Sequence, residues 1–471
     1  MDYQSFVSKP KSMIIAPAGY GKTYSIAECL QHTKGRQLIL THTHAGVASL
    51  KDKIQEHQID CDRYRVETIT GFAQKYVKAF YCGKDMPEQD DSEVYYPFLI
   101  DKARTIFNIS PVQDVVKTTY SGLFVDEYQD CTKEQHNLIN SLAGILPTRI
   151  LGDYLQGIFG FKGQELVDFN NDLKDFERFP DLSEPWRWKN VNPELGEGLK
   201  IIREGLESGK CIDLSLHKTY IEVLQCVEND KFTYGTNYNK RIWNLTHENN
   251  ILIIHPDSSN LAAREDFVSR FKNTFRLIEA IDSKDFYEFS HRLDSINVNN
   301  AFSVIYDLIP DLYNGTTSRD KWFNKNGVKN KTDKDDRTAA QSIQDCIIKL
   351  NHKISFLSIA TILKMIKSLS GIHCRRTELF YDLCKALEHA EYKGIFVYDA
   401  MKEIRNIKRR GGRRIEGRCI GTTLLTKGLE FDAVAILDAH KFKCRKNFYV
   451  AITRACKKLI IFTNNKSVSF S

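Results

Sequence analysis

At 471 residues, with 42% hydrophobic and 27% charged residues, the chain has the composition of a soluble globular protein and a length that suggests roughly two to four domains. Its 67 Lys and Arg against 60 Asp and Glu leave a net charge of +7, which permits a polyanionic partner without demanding one, so nucleic acid has to be argued from motifs. Twelve cysteines without a C-x-x-C pair indicate neither a zinc ribbon nor a disulfide framework; with no apolar run of about 18 residues and no basic-then-apolar leader after Met1, the expectation is a cytoplasmic chain outside the membrane.

The first strong pattern is Ile14-Ile15-Ala16-Pro17-Ala18-Gly19-Tyr20-Gly21-Lys22-Thr23, an apolar run that ends in glycines, a lysine and a threonine. It reads as strand, phosphate loop and helix. The glycines allow a tight turn that aims successive N–H groups at one point, where the helix adds the positive end of its dipole. Lys22 would reach the β- and γ-phosphates, and the Thr23 hydroxyl would hold Mg²⁺. Ala16 stands where the general pattern has glycine, so a Gly-rich turn that binds nothing is the competing reading. Gln37 to Thr41 gives a second strand; His42 and His44 after it line a loop, since no third metal ligand is in view. Val66 to Ala73 places threonine and phenylalanine at a strand-to-helix junction, and Tyr81 to Pro97 reads as an acidic exposed loop.

The strand Gly122-Leu123-Phe124-Val125 runs straight into Asp126-Glu127. Carboxylates at the carboxyl edge of a buried parallel strand lie where ligands bind in such folds, the edge from which the phosphate loop also emerges. Asp126 can bind Mg²⁺ through water and Glu127 can orient or deprotonate the attacking water. A third strand, Arg149 to Asp153, is followed by Gln156, which can sense the γ-phosphate, and by Phe159 and Phe161, which either meet a base or pack in a core. Pro185 marks a boundary before Trp186-Arg187-Trp188. A tryptophan face can stack on adenine while Arg187 reaches a phosphate; an arginine held between aromatics for structural reasons is the alternative.

Asn250 to Ile254 reads as a buried strand of a second parallel sheet, and about Ser290 to Arg410 as mainly helical, with Asn324 to Arg337 as a mobile loop. The basic run Lys408 to Arg414 could track a phosphate backbone or form a solvated loop. The last junctions are Thr426-Lys427-Gly428-Leu429-Glu430-Phe431-Asp432 before a strand, and Tyr449 to Ala455 before the final strand. Arg454 can point across a cleft at phosphate, although a surface salt bridge explains this arginine as well when it is taken alone.

In this order, APAGYGKT (from Ala16), FVDEYQD (from Phe124), GDYLQGIFGFKG (from Gly152), PWRW (from Pro185), TKGLEFD (from Thr426) and YVAITRA (from Tyr449) resemble the UvrD/Rep-like superfamily 1 helicases. The resemblance implies an α/β fold of two RecA-like parallel-sheet domains with ATP in the cleft between them, plus a mainly helical insertion in the second. The boundaries expected are 1–180 with a short accessory insertion at about 74–118, then 181–289 and 411–471 around a helical insertion at 290–410. It further implies that Ala16, Pro17, Ala18, Gly19, Tyr20, Gly21, Lys22 and Thr23 cradle ATP and that Thr23 and Asp126 hold Mg²⁺. Trp186 would stack on adenine, Arg187 and Arg454 would contact the γ-phosphate, Gln156 would couple it to closure, Glu430 would lie near the sugar, and Gln4 would read adenine. Lys22, Glu127, Gln156, Arg187 and Arg454 are the implied catalytic set. His44, Ala45, Gly71 and Leu424 depart from the family's nucleic-acid contacts. The implied partner is single-stranded DNA or a tailed duplex. The compact size also resembles helicase-like subunits of anti-phage systems such as Gabija, which implies an ATP-dependent sensor that gates a partner nuclease.

Overall fold

The computed structural model describes residues 1–158, 165–257, 259–279, 284–313, 316–411 and 415–470. The chain divides into two compact units, Met1–Phe275 with Arg409–Ser471, and Arg276–Lys408. The first unit contains two parallel sheets.

The first sheet consists of β1 (Lys11–Ile15), β2 (Gln37–Thr41), β3 (Tyr64–Thr68), β4 (Gly122–Val125), β5 (Thr148–Gly152) and β6 (Glu177–Arg178), in the spatial order β3-β2-β4-β5-β1-β6 with every pair parallel. β2, β4 and β5 are buried along their whole length, as expected where helices cover both faces of a parallel sheet. One face packs Ile14, Ile39, Phe124 and Leu151 against the helix Lys22–Gln31; the other packs Leu40, Val125 and Ile150 beneath Phe72, Leu99 and Leu138. Since β5 lies between β4 and β1, the chain leaving β5 at Asp153 is set between the phosphate loop and the Asp126-Glu127 pair. The second sheet has the strands Arg418–Gly421, Ile251–Ile254, Phe431–Ile436, Ala455–Thr463 and Glu222–Gln225 as successive parallel neighbours. Two such sheets with crossover helices are the two RecA-like domains expected from the motifs.

Two segments differ from the sequence reading. Tyr81 to Pro97 is not one loop, because a helix spans Ser92–Ile106 with Pro97 inside it. That helix buries Tyr95, Leu99, Ile100, Ala103 and Ile106 at helical spacing, and this apolar stripe outweighs the missing proline N–H. The residues between β3 and β4 therefore belong to the first domain's own core.

The second unit, Arg276–Lys408, has its own core, in which Phe286, Ile309, Trp322, Ile343, Leu363 and Leu383 are buried. Its compact boundary begins at Arg276, where the sequence reading opens a helical insertion at 290. Asn324 to Arg337 is shorter as a loop than expected. Phe323–Asn324 pairs with Gly327–Val328 across the two-residue turn Lys325-Asn326, with Gly327 at φ +145° opening the return strand, and a helix starts at Lys334, capped by the Asp333 carboxylate. Charge concealed that helix, whose buried face is Ala340, Ile343, Ile347 and Leu350. Among the described residues no helix is long and apolar enough to cross a membrane. The cysteines are all free thiols.

Candidate active site

The loop after β1 carries Gly19 and Gly21 at φ +78° and +87°, a backbone that side chains rarely adopt, and no side chain caps the helix that Gly21 opens. A Cβ on Gly19 would lie 2.5 Å from Trp188 Cζ3, and one on Gly21 would lie 3.2 Å from Trp186 Cδ1. The loop is thus shaped by φ and by the two tryptophans that press on it. Ala16, Pro17, Ala18 and Tyr20 are buried beside these glycines.

Lys22 leads the helix with a buried ammonium 3.1 Å from Asp126 Oδ1 and also paired with Glu127 Oε1. Glu127 adopts φ +56°, and Gln129 Nε2 donates to its other oxygen. Burial pushes both carboxyls up. For Glu127 the Lys22 and Lys427 ammoniums outweigh it and hold the acid below its ordinary range, whereas Asp126 stays raised. The donor set fits Mg²⁺–ATP. Thr23 and Asp126 offer hard oxygen ligands, and the uncapped helix start with the Lys22 ammonium offers positive potential for the phosphates.

From β5 the wholly buried Asp153 accepts at Oδ2 from the Ala18 N–H (3.2 Å) and Gln156 Nε2 (3.1 Å). Gln156 in turn accepts at Oε1 from Arg454 Nη2 (3.4 Å), which comes from the second sheet's side. Arg454 is otherwise held by the carbonyls of Leu429 (3.1 Å) and Val450 (2.9 Å). Burial and the neighbouring Arg187 bring its guanidinium down to about 10. Arg187 bonds Glu430 Oε1 at 2.5 Å and the Thr453 carbonyl, and its own N–H donates to Gly19 O at 2.9 Å. The Arg187 guanidinium keeps the half-exposed Glu430 carboxyl below its usual range. Trp186 is 54% exposed, with the Lys189 ammonium 3.9 Å from its ring centroid. Trp188 is buried and donates from Nε1 to Ala455 O at 2.7 Å.

The residues singled out in the sequence therefore meet around one loop: Lys22, Asp126 and Glu127 as a cluster, Gln156 and Arg454 as a second, Arg187 and Glu430 as a third. Gln4 is exposed on the short helix Tyr3–Ser8, whose Tyr3 hydroxyl lies 3.3 Å from Ser25 Oγ. Phe159 to Gly163 lie outside the described residues, as do Arg413, Arg414 and the side chains of Ala45, Arg409 and Arg410.

Several participants were given no role from the sequence. Lys427 crosses from the second domain to pair with Asp130 and to donate to the Gln156 carbonyl, all of it buried. Burial raises Asp130 to about 6 against the pull of Lys427. Arg203 and Tyr449 join Asp153. His42 Nε2 lies 3.3 Å from Cys131 Sγ, and burial with the charge of Lys427 lowers its imidazole to about 3. Lys427 stands inside a motif and Tyr449 opens another, so both had a signal; Arg203 had none.

Residues 93–177 match the model of the UvrD/REP helicase N-terminal domain, a stretch that includes Asp126, Glu127 and Gln156. No curated protein matches the chain. Among solved structures, Pif1 helicase from Candida albicans is 13% identical, with a TM-score of 0.42 over 100% of this chain and 96% of that one. Arterivirus nonstructural protein 10, a helicase in complex with DNA, is 12% identical with a TM-score of 0.29 over 55% of this chain and 50% of that one. The same arterivirus helicase in a second structure is 11% identical with a TM-score of 0.31, covering 98% and 61%. The match thus spans half of the arterivirus chain in its DNA complex. These likenesses are weak, and the fold rests on the topology of the two sheets. The family match falls within the first of the two sheet domains and takes in its Asp126-Glu127 edge.

Proposed function

We propose that this chain is an ATP-dependent DNA helicase or translocase of the UvrD-like kind, hydrolysing Mg²⁺–ATP between its RecA-like domains. The observation that carries this reading is the reach of Arg454 from the second sheet's side to Gln156, which shares Asp153 with the phosphate loop. In this reading Lys22 binds the β- and γ-phosphates, Thr23 and Asp126 hold Mg²⁺, and Glu127 orients and deprotonates water. Trp186 offers its exposed face to adenine, Glu430 lies near the sugar, and Arg187 and Arg454 neutralise charge on the γ-phosphate in the transition state. Bound Mg²⁺ would supply a Lewis acid for the phosphoryl oxygens. Hydrolysis then requires both sheets, and that requirement couples ATP to movement along single-stranded DNA.

Glu127→Gln is the direct test. It is expected to cut Mg²⁺-dependent ATP turnover by on the order of 10²–10⁴ while ATP still binds; unchanged turnover would sink the assigned mechanism. Single-stranded DNA is expected to raise the rate and a tailed duplex to separate.

A second reading is a cytoplasmic ATP-dependent sensor of an anti-phage system that gates a partner nuclease. It is favoured by the residues between β3 and β4, which fill the first domain's core instead of forming an accessory domain. Stimulation of hydrolysis by a co-purifying nuclease and by no nucleic acid would select it.

A further inference from the structure

Arg203 lies in the helix Pro193–Glu207, outside every motif, yet its side chain is buried at the junction of three functional elements. Its Nη1 donates to Asp153 Oδ2 at 2.8 Å and to the Tyr449 hydroxyl at 2.7 Å. Its Nε is 2.8 Å from Glu207 Oε1, which also accepts from the Tyr154 hydroxyl at 2.7 Å. The guanidinium sits 5.1 Å from the ring centroid of Tyr449 and 5.5 Å from that of Tyr154. A planar fork held by two rings and two carboxylates has one orientation.

The consequence lies at Asp153. Its Oδ2 receives Arg203, the Ala18 N–H of the phosphate loop and the Gln156 amide together. A carboxylate without exposure needs a cation, and Arg203 is the cation bonded to it. Tyr449 belongs to the helix Arg445–Ile452, which packs on the helix of Arg203 and ends next to Arg454. Withdrawal of the Arg445–Ile452 helix from the first sheet would draw on the helix that holds Arg203, and so on Asp153 and Gln156.

We propose that Arg203 is a positioning residue for ATP hydrolysis: it fixes Asp153, and through it the Ala18 amide and Gln156, only while the helix that leads to Arg454 is docked. Arg203 acts through Asp153 and Tyr449, with no role in touching phosphate. The inference rests on the Mg²⁺–ATP reading above and adds to it a residue that makes the γ-phosphate sensor register closure.

The test uses the full chain, with three readouts: ATP turnover, affinity for a non-hydrolysable ATP analogue with Mg²⁺, and amide hydrogen exchange. Arg203→Met is expected to lower kcat on the order of 10- to 100-fold while analogue affinity changes by less than about threefold. Arg203→Lys, which keeps the charge and loses the fork, should recover about half of that loss on a logarithmic scale. Arg203→Met with Asp153→Asn should be no slower than the worse single variant, as expected for residues that act as one unit. In the unaltered protein the analogue should protect both the phosphate-loop peptide and the 445–454 peptide; in Arg203→Met it should protect only the first. If Arg203→Met does not fold, Tyr449→Phe takes its place, with kcat lowered about three- to tenfold at unchanged analogue affinity. Unchanged kcat, an affinity loss as large as the kcat loss, or protection of both peptides in Arg203→Met would overturn the proposal. An unaltered chain that binds the analogue but does not hydrolyse ATP would overturn the hydrolase reading alone, and the exchange result would then decide the role of Arg203.

Discussion

The two sides of the cleft are built on different principles. On the first sheet's side, Lys22, Asp126 and Glu127 satisfy one another within a single domain, on loops that adjacent strands bring to one edge. On the second sheet's side, the buried Lys427 pairs with Asp130 across the cleft, and the buried Arg454, held from its own side by the Leu429 and Val450 carbonyls and the Thr453 hydroxyl, reaches across to Gln156. One cluster is complete within its own domain; the other is completed by contacts across the cleft. The difference separates binding from commitment. In the proposed function the first cluster supplies the nucleotide cradle, and the second makes hydrolysis conditional on docking.

Changes to the second side should therefore spare binding and abolish turnover or docking. The largest effect is expected from Arg454→Met, which should reduce kcat by on the order of 10³–10⁵, the usual value of such an arginine, with ATP affinity retained in a fluorescence titration. Comparable losses of affinity and turnover would erase the distinction between the two sides.

Lys427→Met tests the docking charge more directly. It leaves the Asp130 carboxyl buried without its cation and should cost about 3 kcal/mol, seen as a lower midpoint of chemical unfolding. Adding Asp130→Leu should restore most of that loss, since an apolar pair of similar volume replaces the ion pair. A double variant no more stable than Lys427→Met would show that the pair does not act across the cleft.

The smallest effect concerns His42, which feels the charges of Lys427, Glu127 and Lys22. Its imidazole is lowered from 6.5 to about 3, so the folded chain keeps it neutral where the unfolded chain binds a proton. The sign follows: its contribution to stability is complete above pH 6.5 and is lost progressively as pH falls toward 3. Allowing for its partial exposure, His42→Asn should flatten the stability loss between pH 6.5 and about 5 by on the order of 1 kcal/mol. An unaltered acid limb in that variant would remove His42 from the account.

The legible parts of the molecule were those in which chemistry and secondary structure share one short stretch. β1 with its glycines, and β4 with Asp126 and Glu127, announce strand, edge and charge within ten residues, so the parallel sheets could be inferred from them. The helix Ser92–Ile106 was hidden by its surroundings, because Pro97 and nearby acids resemble a loop until the buried spacing from Tyr95 to Ile106 is weighed. The helix after Asp333 was hidden in the same way by surface charge. Arg203 was hidden for a different reason. Its meaning depends on Asp153, 50 positions earlier, and Tyr449, 246 positions later, and no local pattern encodes such a meeting. Lys427 falls between these cases, visible within its motif but without a stated task until Asp130 is seen beneath it.

Trp188 joins the two sides physically, with its ring against the Gly19 turn and its indole N–H on the Ala455 carbonyl. Indole emission moves to longer wavelength when the ring passes from an apolar, hydrogen-bonded site into water. The seam of this protein therefore carries an intrinsic optical probe, and stopped-flow tryptophan emission can time the parting of the domains with no dye attached.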